Sequence, residues 1–324
     1  MAVTEDKKYV VGVDVGGQTS KIGVVDMMGN VLHQSVIRSD IYGDDADAFI
    51  SALADAVALC IKAADKEGQV RGVGVGAPNG NYYTGEVGFA PNLEWAAKKS
   101  VPFAKMLSER LGGLPVSLTN DANAAAVGEM TYGVAKGMKN FIMITLGTGV
   151  GSGIVIDGKV VYGSDGFAGE LGHTIAVRHN GRLCGCGRAG CLEAYCSAIG
   201  VARTAREWLD MSNEPSLLRD LDKITSKDVY EAAKNGDALS IRVFDYTGEI
   251  LGRSLADFIE FSAPEAIVLF GGLARSREFL EKPVLDAMNE NVLKLWRGKV
   301  KLLFSSLKES DAAILGASAL AWDL

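Results

Sequence analysis

The chain has 324 residues, 48 % hydrophobic and 23 % charged, a composition that excludes disorder and suffices for two domains with a substantial core. Its formal net charge of −7 leaves no electrostatic footprint for nucleic-acid backbones or anionic lipid. The first residues lack a signal-peptide layout, and the longest uncharged apolar stretch, 141–156, is broken by glycines and falls short of the ~20 residues a membrane span requires. A cytoplasmic location is therefore expected.

Residues 9–32 read as a strand, a glycine turn, a second strand ending at Asp26, a tight turn at Gly29-Asn30 and a third strand. Residues 44–66 carry Phe49, Ile50, Leu53, Val57, Cys60, Ile61 and Ala64 at helical spacing, with Gly68 as the stop. Cys60 lies on that apolar stripe and reads as a core thiol. A strand at 70–75 leads to Gly76-Ala77-Pro78-Asn79-Gly80, and a strand at 115–119 leads to Asn120-Asp121 and a helix over 122–132. Residues 140–163 then repeat the opening pattern: strand, Gly147-Thr148-Gly149, a second strand ending at Asp157, and a turn at Gly158-Lys159. The interval from Gly16 to Asp26 equals that from Gly147 to Asp157, so loop and aspartate stay in step. This duplication predicts two similar α/β domains facing across a cleft. Helices dominate 198–262, a strand at 266–270 meets Gly271-Gly272, and a helix over 311–322, capped by Ser310, closes the chain. The expected division is a smaller domain of residues 1–119 plus the C-terminal helix, 311–324, and a larger one of residues 120–310.

The dinucleotide fingerprint fails at both glycine loops, because Gly12, Gly16, Gly17 and Gly147, Gly149, Gly151 have the wrong intervals. Gly72-Val-Gly74-Val-Gly76-Ala77 meets its relaxed form, but the Pro78-Asn79-Gly80 that follows is a turn rather than a helix start. What remains is a pair of loops whose glycines allow backbone N–H groups to bind phosphate oxygens, with hydroxyls from Thr19, Ser20 and Thr148. Asp14, where the first strand meets its loop, suits a hydrated Mg²⁺. Asp121 opens a helix, as a simple cap or as a base. If both carboxylates face one substrate, Asp14 serves the metal and Asp121 accepts a proton from an attacking hydroxyl, the division that phosphoryl transfer requires.

Residues 169–196 hold four of the five cysteines and two of the three histidines. Cys184-x-Cys186-x₄-Cys191 places three soft ligands on one loop whose glycines permit a tight backbone, and three thiolates with one further ligand make a closed structural Zn²⁺ site. The fourth ligand is one of His173, His179 and Cys196. Glu170 and Glu193 flank these ligands, so a zinc knot would fix two carboxylates beside something rich in hydroxyls.

Asp14-Val-Gly-Gly, Asn120-Asp121-Ala-Asn-Ala-Ala, Leu146-Gly-Thr-Gly-Val-Gly, Gly169-Glu-Leu-Gly-His173 and Cys184-Gly-Cys-Gly-Arg-Ala-Gly-Cys-Leu-Glu193 together resemble the ROK family of sugar kinases and sugar-responsive repressors. Ala90-Pro-Asn-Leu-Glu-Trp95 is similar to a loop of its glucokinase-type members. The resemblance implies the actin-like ATPase (ribonuclease-H-like) fold and transfer of phosphate from ATP to a hexose, glucose before fructose, mannose, allose or an N-acetylhexosamine. It implies Asp121 as catalytic base, and Asn120, Asp121 itself, Glu170, His173 and Glu193 on the sugar. ATP and Mg²⁺ fall to Asp14, Gly16, Gly17, Thr19, Lys21, Thr148 and Gly149, with adenine near Gly271 and Gly272. It selects His173 as the fourth zinc ligand, beside Cys184, Cys186 and Cys191, and suggests a homodimer. Gln18 departs from the threonine that members commonly carry after the paired glycines, and the stretch from His173 to Cys184 is one residue longer than usual. A repressor needs a DNA-reading helix-turn-helix ahead of the first loop; only eight residues precede Tyr9, which favours the kinase.

Overall fold

The computed structural model describes residues 7–324. β1 (Tyr9–Val15), β2 (Thr19–Asp26) and β3 (Val31–Arg38) form an antiparallel meander. Next come α1 (Ala46–Ala63), β4 (Val70–Gly76), the short β5 (Val87–Gly88) and β6 (Ser100–Val101), and α2 (Phe103–Arg110). β7 (Val116–Thr119) leads almost directly into α3 (Asp121–Thr131). β8 (Phe141–Leu146), β9 (Val150–Ile156) and β10 (Lys159–Val160) repeat the opening pattern. The helical stretch comprises α4 (Glu193–Cys196), α5 (Ala198–Met211), α6 (Ser226–Lys234) and α7 (Ala238–Ser262). β11 (Ala266–Phe270), α8 (Arg277–Asn291), β12 (Lys301–Phe304) and α9 (Glu309–Ala319) close the chain.

Two five-stranded sheets result, ordered β3-β2-β1-β4-β7 and β10-β9-β8-β11-β12. β4 runs parallel to β1 and β7 to β4; β11 runs parallel to β8 and β12 to β11. The duplication seen in the two glycine hairpins therefore extends through each sheet. Central strands such as β1 are buried on both faces and read as nearly continuous valine runs, whereas the edge strand β3 is largely exposed and polar.

The chain groups into two compact units, one containing the sequence up to Met138 with 153–168 and 306–324, the other 139–152 and 169–305. Residues 120–138 thus join the first unit, past the boundary expected near 119. α3 belongs there because it packs on α9, where Gly128 meets the backbone of Gly316. The core of the first unit gathers Phe49, Leu53, Val57 and Phe103 around the stacked Trp95, whose ring lies 5.1 Å from that of Phe49. Cys60 is part of this core. In the second unit, Phe244, Leu251 and Leu255 of α7 pack with Ile267, Leu269 and Val284.

α1 ends before the glycine expected to stop it. Asp65 already adopts φ 56°, and the Lys66 amide donates to the Ile61 carbonyl at 3.1 Å, so the turn closes three residues ahead of Gly68. Aspartate tolerates this left-handed conformation. Lys308, not Ser310, occupies the cap position of α9; the side chain of Ser310 lies outside the described ones. Among the described residues no helix is long and apolar enough to cross a membrane.

α9 needs its run of small residues because it lies directly on the first sheet. A Cβ on Gly74 of β4 would collide with the backbone carbonyl of Ala317, and backbone cannot swing aside as a side chain can. Gly74→Ala should therefore lower stability by about 1–3 kcal/mol through overpacking, measured by urea denaturation. An unchanged midpoint would mean that α9 does not hold this position in solution.

Candidate functional site

The carboxylates of the first unit sit at two strand ends. Asp14 is the sixth residue of β1, and the hairpin beyond it closes with the Gly16 amide donating to the Thr19 carbonyl at 3.1 Å. Asp121 is the first residue of α3, but it is not the cap. Asn120 holds that place, its side-chain oxygen accepting from the Asn123 amide at 2.7 Å, and Asp121 Oδ1 accepts from the Ala122 amide at 2.8 Å. The capping alternative for Asp121 is thus already filled by its neighbour. Burial pushes the Asp14 carboxyl up to about 6, reinforced by the negative charge of Asp121 and opposed by Lys21. Desolvation raises Asp121 as well, although its surface remains open to solvent. A carboxylate that is densely surrounded yet solvent-accessible is suited to exchanging a proton with a ligand. Two carboxylates that feel each other's charge, with Lys21 opposing the shift at Asp14, also suit a divalent cation.

Around the first loop, Gly17 lies against the Asn92 carbonyl, so the 90–95 loop reaches the hairpin through backbone. Trp95 itself is 1 % exposed and serves the core, not a ligand pocket. Thr19 is exposed, Lys21 partly buried, and Gln18 is exposed with its carbonyl accepting from Ser39 N–H at 2.8 Å.

In the second unit the Gly147-Thr148-Gly149 loop closes with the Gly147 amide donating to the Gly149 carbonyl at 3.0 Å. Glu193, the first residue of α4, packs against it. Its Oε2 accepts from the Val150 amide at 3.0 Å, and a Cβ on Gly149 would collide with the same carboxylate. Thr148 also lines a cavity of about 390 Å³ whose walls carry Ile199 and Arg203 of α5 with Lys223 and Thr225 before α6. Gly271 follows β11 with φ 100°, pressed against the Leu146 backbone, and Gly272 faces open space.

The ligand atoms of His173, Cys184, Cys186 and Cys191 all lie within 4.8 Å of one another. Cys186 and Cys191 sulfurs are 3.6 Å apart, and Cys184 Sγ is 3.8 Å from His173 Nδ1. A tetrahedral ion with metal–sulfur bonds of about 2.3 Å sets its ligands about 3.8 Å apart, so these four groups fit one. His179 is exposed and outside the cluster. Cys196 is fully buried and directs its thiol at the Thr247 carbonyl. Glu193 Oε1 accepts from Cys184 Sγ at 3.4 Å, joining the cluster to the glycine loop. Glu170 is exposed at the start of the single turn Leu171–His173.

Two polar residues escape sequence reasoning because their partners are distant in the chain. Ser152 Oγ donates to the Gly169 carbonyl and accepts from the Leu171 amide at 3.1 Å, pinning both neighbours of Glu170. In the first unit Asn81 donates to the Asp165 carbonyl at 2.6 Å and accepts from the Tyr83 amide at 2.9 Å, tying the loop after Pro78 to the loop after β10. Tyr82 stacks on Tyr162 across the same junction, centroids 4.0 Å apart.

The sequence profile of the ROK family matches residues 10–323. A glucokinase of Halalkalibacterium halodurans is 36 % identical over 315 residues, 95 % of this chain and 93 % of that protein. The structure of a ROK family glucokinase from Streptomyces griseus in complex with glucose and AMPPNP superposes with TM-score 0.79 at 33 % identity, covering 98 % of this chain and all of that one. A xylose repressor of Caldicellulosiruptor bescii is 27 % identical across 99 % of this chain and 79 % of its own length.

The carboxylate pair has a signature in stability. The folded-state pKa of Asp14 lies above its ordinary 3.8, at about 6, so the folded protein holds this proton more tightly than the unfolded chain. Its contribution is fully present below pH 4 and is lost as pH rises through about 6. Asp14→Asn should flatten that decline and stabilise the ligand-free protein at neutral pH by roughly 2 kcal/mol. Urea denaturation across this pH range checks it, and identical profiles for both proteins would show that the Asp14 carboxyl is not crowded.

Proposed function

The chain belongs to the ROK family, and we propose that it is an ATP-dependent hexose kinase that phosphorylates glucose to glucose 6-phosphate. It shares the actin-like ATPase fold of the ROK glucokinases. The observation that carries the chemistry is the crowded pair Asp14 and Asp121, opposed by Lys21. Asp14 would hold a hydrated Mg²⁺, which supplies positive charge against the phosphates of ATP. With the Gly16 amide closing the hairpin on Thr19, the backbone amides at Gly17 and Gly149, with Thr19, Lys21 and Thr148, bind those phosphates. The cavity beside Thr148 and the Gly271-Gly272 turn take the rest of the nucleotide.

Asn120, Glu170, His173 and Glu193 hold sugar hydroxyls and aim the sixth-carbon hydroxyl at the γ-phosphorus. Asp121 accepts the hydroxyl proton as that oxygen forms its bond to phosphorus, and the bond to the β-phosphate oxygen breaks to release ADP. Desolvation raises Asp121 above the ordinary carboxylate range, which makes its ionised form a stronger base. Most of the acceleration comes from alignment and charge neutralisation.

Three thiolates and an imidazole select Zn²⁺. Held by His173, Cys184, Cys186 and Cys191, the ion would fix the loop that ends in Glu193, supplying folding energy and no reacting atom. The enzyme would work in the cytoplasm, where ATP is available and thiols stay reduced, as a homodimer. Among hexoses, the similarity to glucokinases across nearly the whole chain favours glucose. Similarity to a repressor keeps a sugar-sensing regulator as the alternative.

Purified protein should form ADP and a hexose phosphate from MgATP, fastest with glucose in a panel that includes fructose, mannose, allose and the N-acetylhexosamines. No transfer to any of these, with sequence-specific duplex binding instead, would establish the regulator. Asp121→Asn should lower kcat by ~10²–10⁴-fold while sparing glucose affinity; near wild-type turnover would remove Asp121 as the base. Elemental analysis should return one zinc per chain, and carefully purified active protein without zinc would contradict the metal assignment.

A further inference from the structure

We propose that Arg182 is a positioning residue for the sugar site, fastening the turn that carries Glu193 independently of the metal. This rests on the hexose-kinase reading above. Arg182 lies two residues before the first cysteine of the cluster, yet its side chain is only 9 % exposed. Nε and Nη2 donate to Glu207 Oε2 at 3.0 and 2.6 Å, and Nη1 donates to Thr204 Oγ1 at 2.8 Å and to the Ala194 carbonyl at 3.3 Å. The guanidinium carbon stands 4.6 Å from the centroid of the Tyr195 ring. The Arg182 backbone amide donates to the Tyr195 hydroxyl at 2.8 Å. One residue thereby grips the two positions that follow Glu193 and anchors them to α5.

A buried ion pair by itself is weak evidence for anything beyond packing. The location gives this one its meaning. α4 is four residues long, with no side-chain cap at Leu192, and a helix that short has no stability of its own. It must be held from outside. The metal cluster holds it from the N-terminal side through Cys191, and Arg182 holds it from the C-terminal side through Ala194 and Tyr195. Glu193 lies between the two fasteners, and neither makes the other redundant. Arg203 extends the hold, donating to Glu207 Oε1 at 2.7 Å and to the Leu183 carbonyl at 3.2 Å. Lysine cannot reproduce the grip, since a single ammonium does not span Glu207, Thr204 and the Ala194 carbonyl in one plane.

The test is Arg182→Lys, assayed for glucose KM, ATP KM, kcat and zinc content in the full chain. Glucose KM should rise about tenfold, the usual scale for removing an outer partner that orients a binding residue. ATP KM, kcat and zinc content should stay near wild type. Arg182→Ala should raise glucose KM further and be partly rescued by millimolar methylguanidine, which a general loss of packing would not allow. A folded Arg182→Lys protein with wild-type glucose KM, or one whose KM rises only in step with zinc loss, overturns the proposal. If the alanine variant does not fold, Tyr195→Phe and Glu207→Gln remove partners of the grip one at a time. Raised glucose KM with zinc retained supports it, and unchanged KM in both overturns it. A wild-type chain that phosphorylates no hexose removes the function and this proposal together, whereas wild-type activity with unaltered variants removes the proposal alone.

Discussion

The second unit is organised around the carboxylate of Glu193, whose two oxygens are both committed. One accepts from the Val150 amide beside the Gly147–Gly149 loop, and the other lies 3.4 Å from Cys184 Sγ of the candidate metal cluster. A side chain fixed in this way leaves no room for a Cβ on Gly149. The glycine there therefore answers to the Glu193 carboxylate as well as to the proposed approach to phosphate. Loop, metal cluster and α4 form one connected piece of structure, and a disturbance at any of them reaches Glu193.

The first unit depends on a different constraint, the close seating of α9 on glycines of the sheet. Gly12 and Gly74 receive the backbone of α9, and Gly128 of α3 meets Gly316. α3 is thereby set against the C-terminal helix, and its first residue is Asp121. Packing of small residues thus fixes where a base can stand. The same compact environment raises Asp14 and Asp121, so the unit keeps two carboxylates in a setting that opposes their charge. Such tension is common where a bound cation completes a site.

Much of this was legible in the sequence because it is local. Glycine hairpins, valine runs and the stripe of α1 are periodic signals, and β11 falls at 266–270 as the pattern implies. The cysteine spacing announces a metal loop without choosing its fourth ligand. Through-space partners are not legible: nothing near Ser152 indicates Gly169, and nothing near Arg182 indicates Glu207. The division into units was also hidden, since residues 120–138 and 153–168 return to the first unit through packing rather than through any linker. α8 evades a periodic reading because Pro283 sits inside it, facing Gly248 of α7. Trp95, at the end of the 90–95 loop, is buried among Phe49 and Phe103, partners that the loop's local sequence does not indicate.

The candidate metal cluster, the glycine loop and the proposed sugar contact are joined at Glu193, while the crowded carboxylates belong to the other unit. The direct measurement is calorimetric titration of glucose and of a non-hydrolysable ATP analogue with Mg²⁺ into protein before and after zinc is stripped, with folding checked by circular dichroism. Stripped protein that remains folded should lose about tenfold or more in glucose affinity and bind the nucleotide nearly as before. Equal glucose affinity with and without zinc would contradict the claim that the metal positions Glu193 for the sugar.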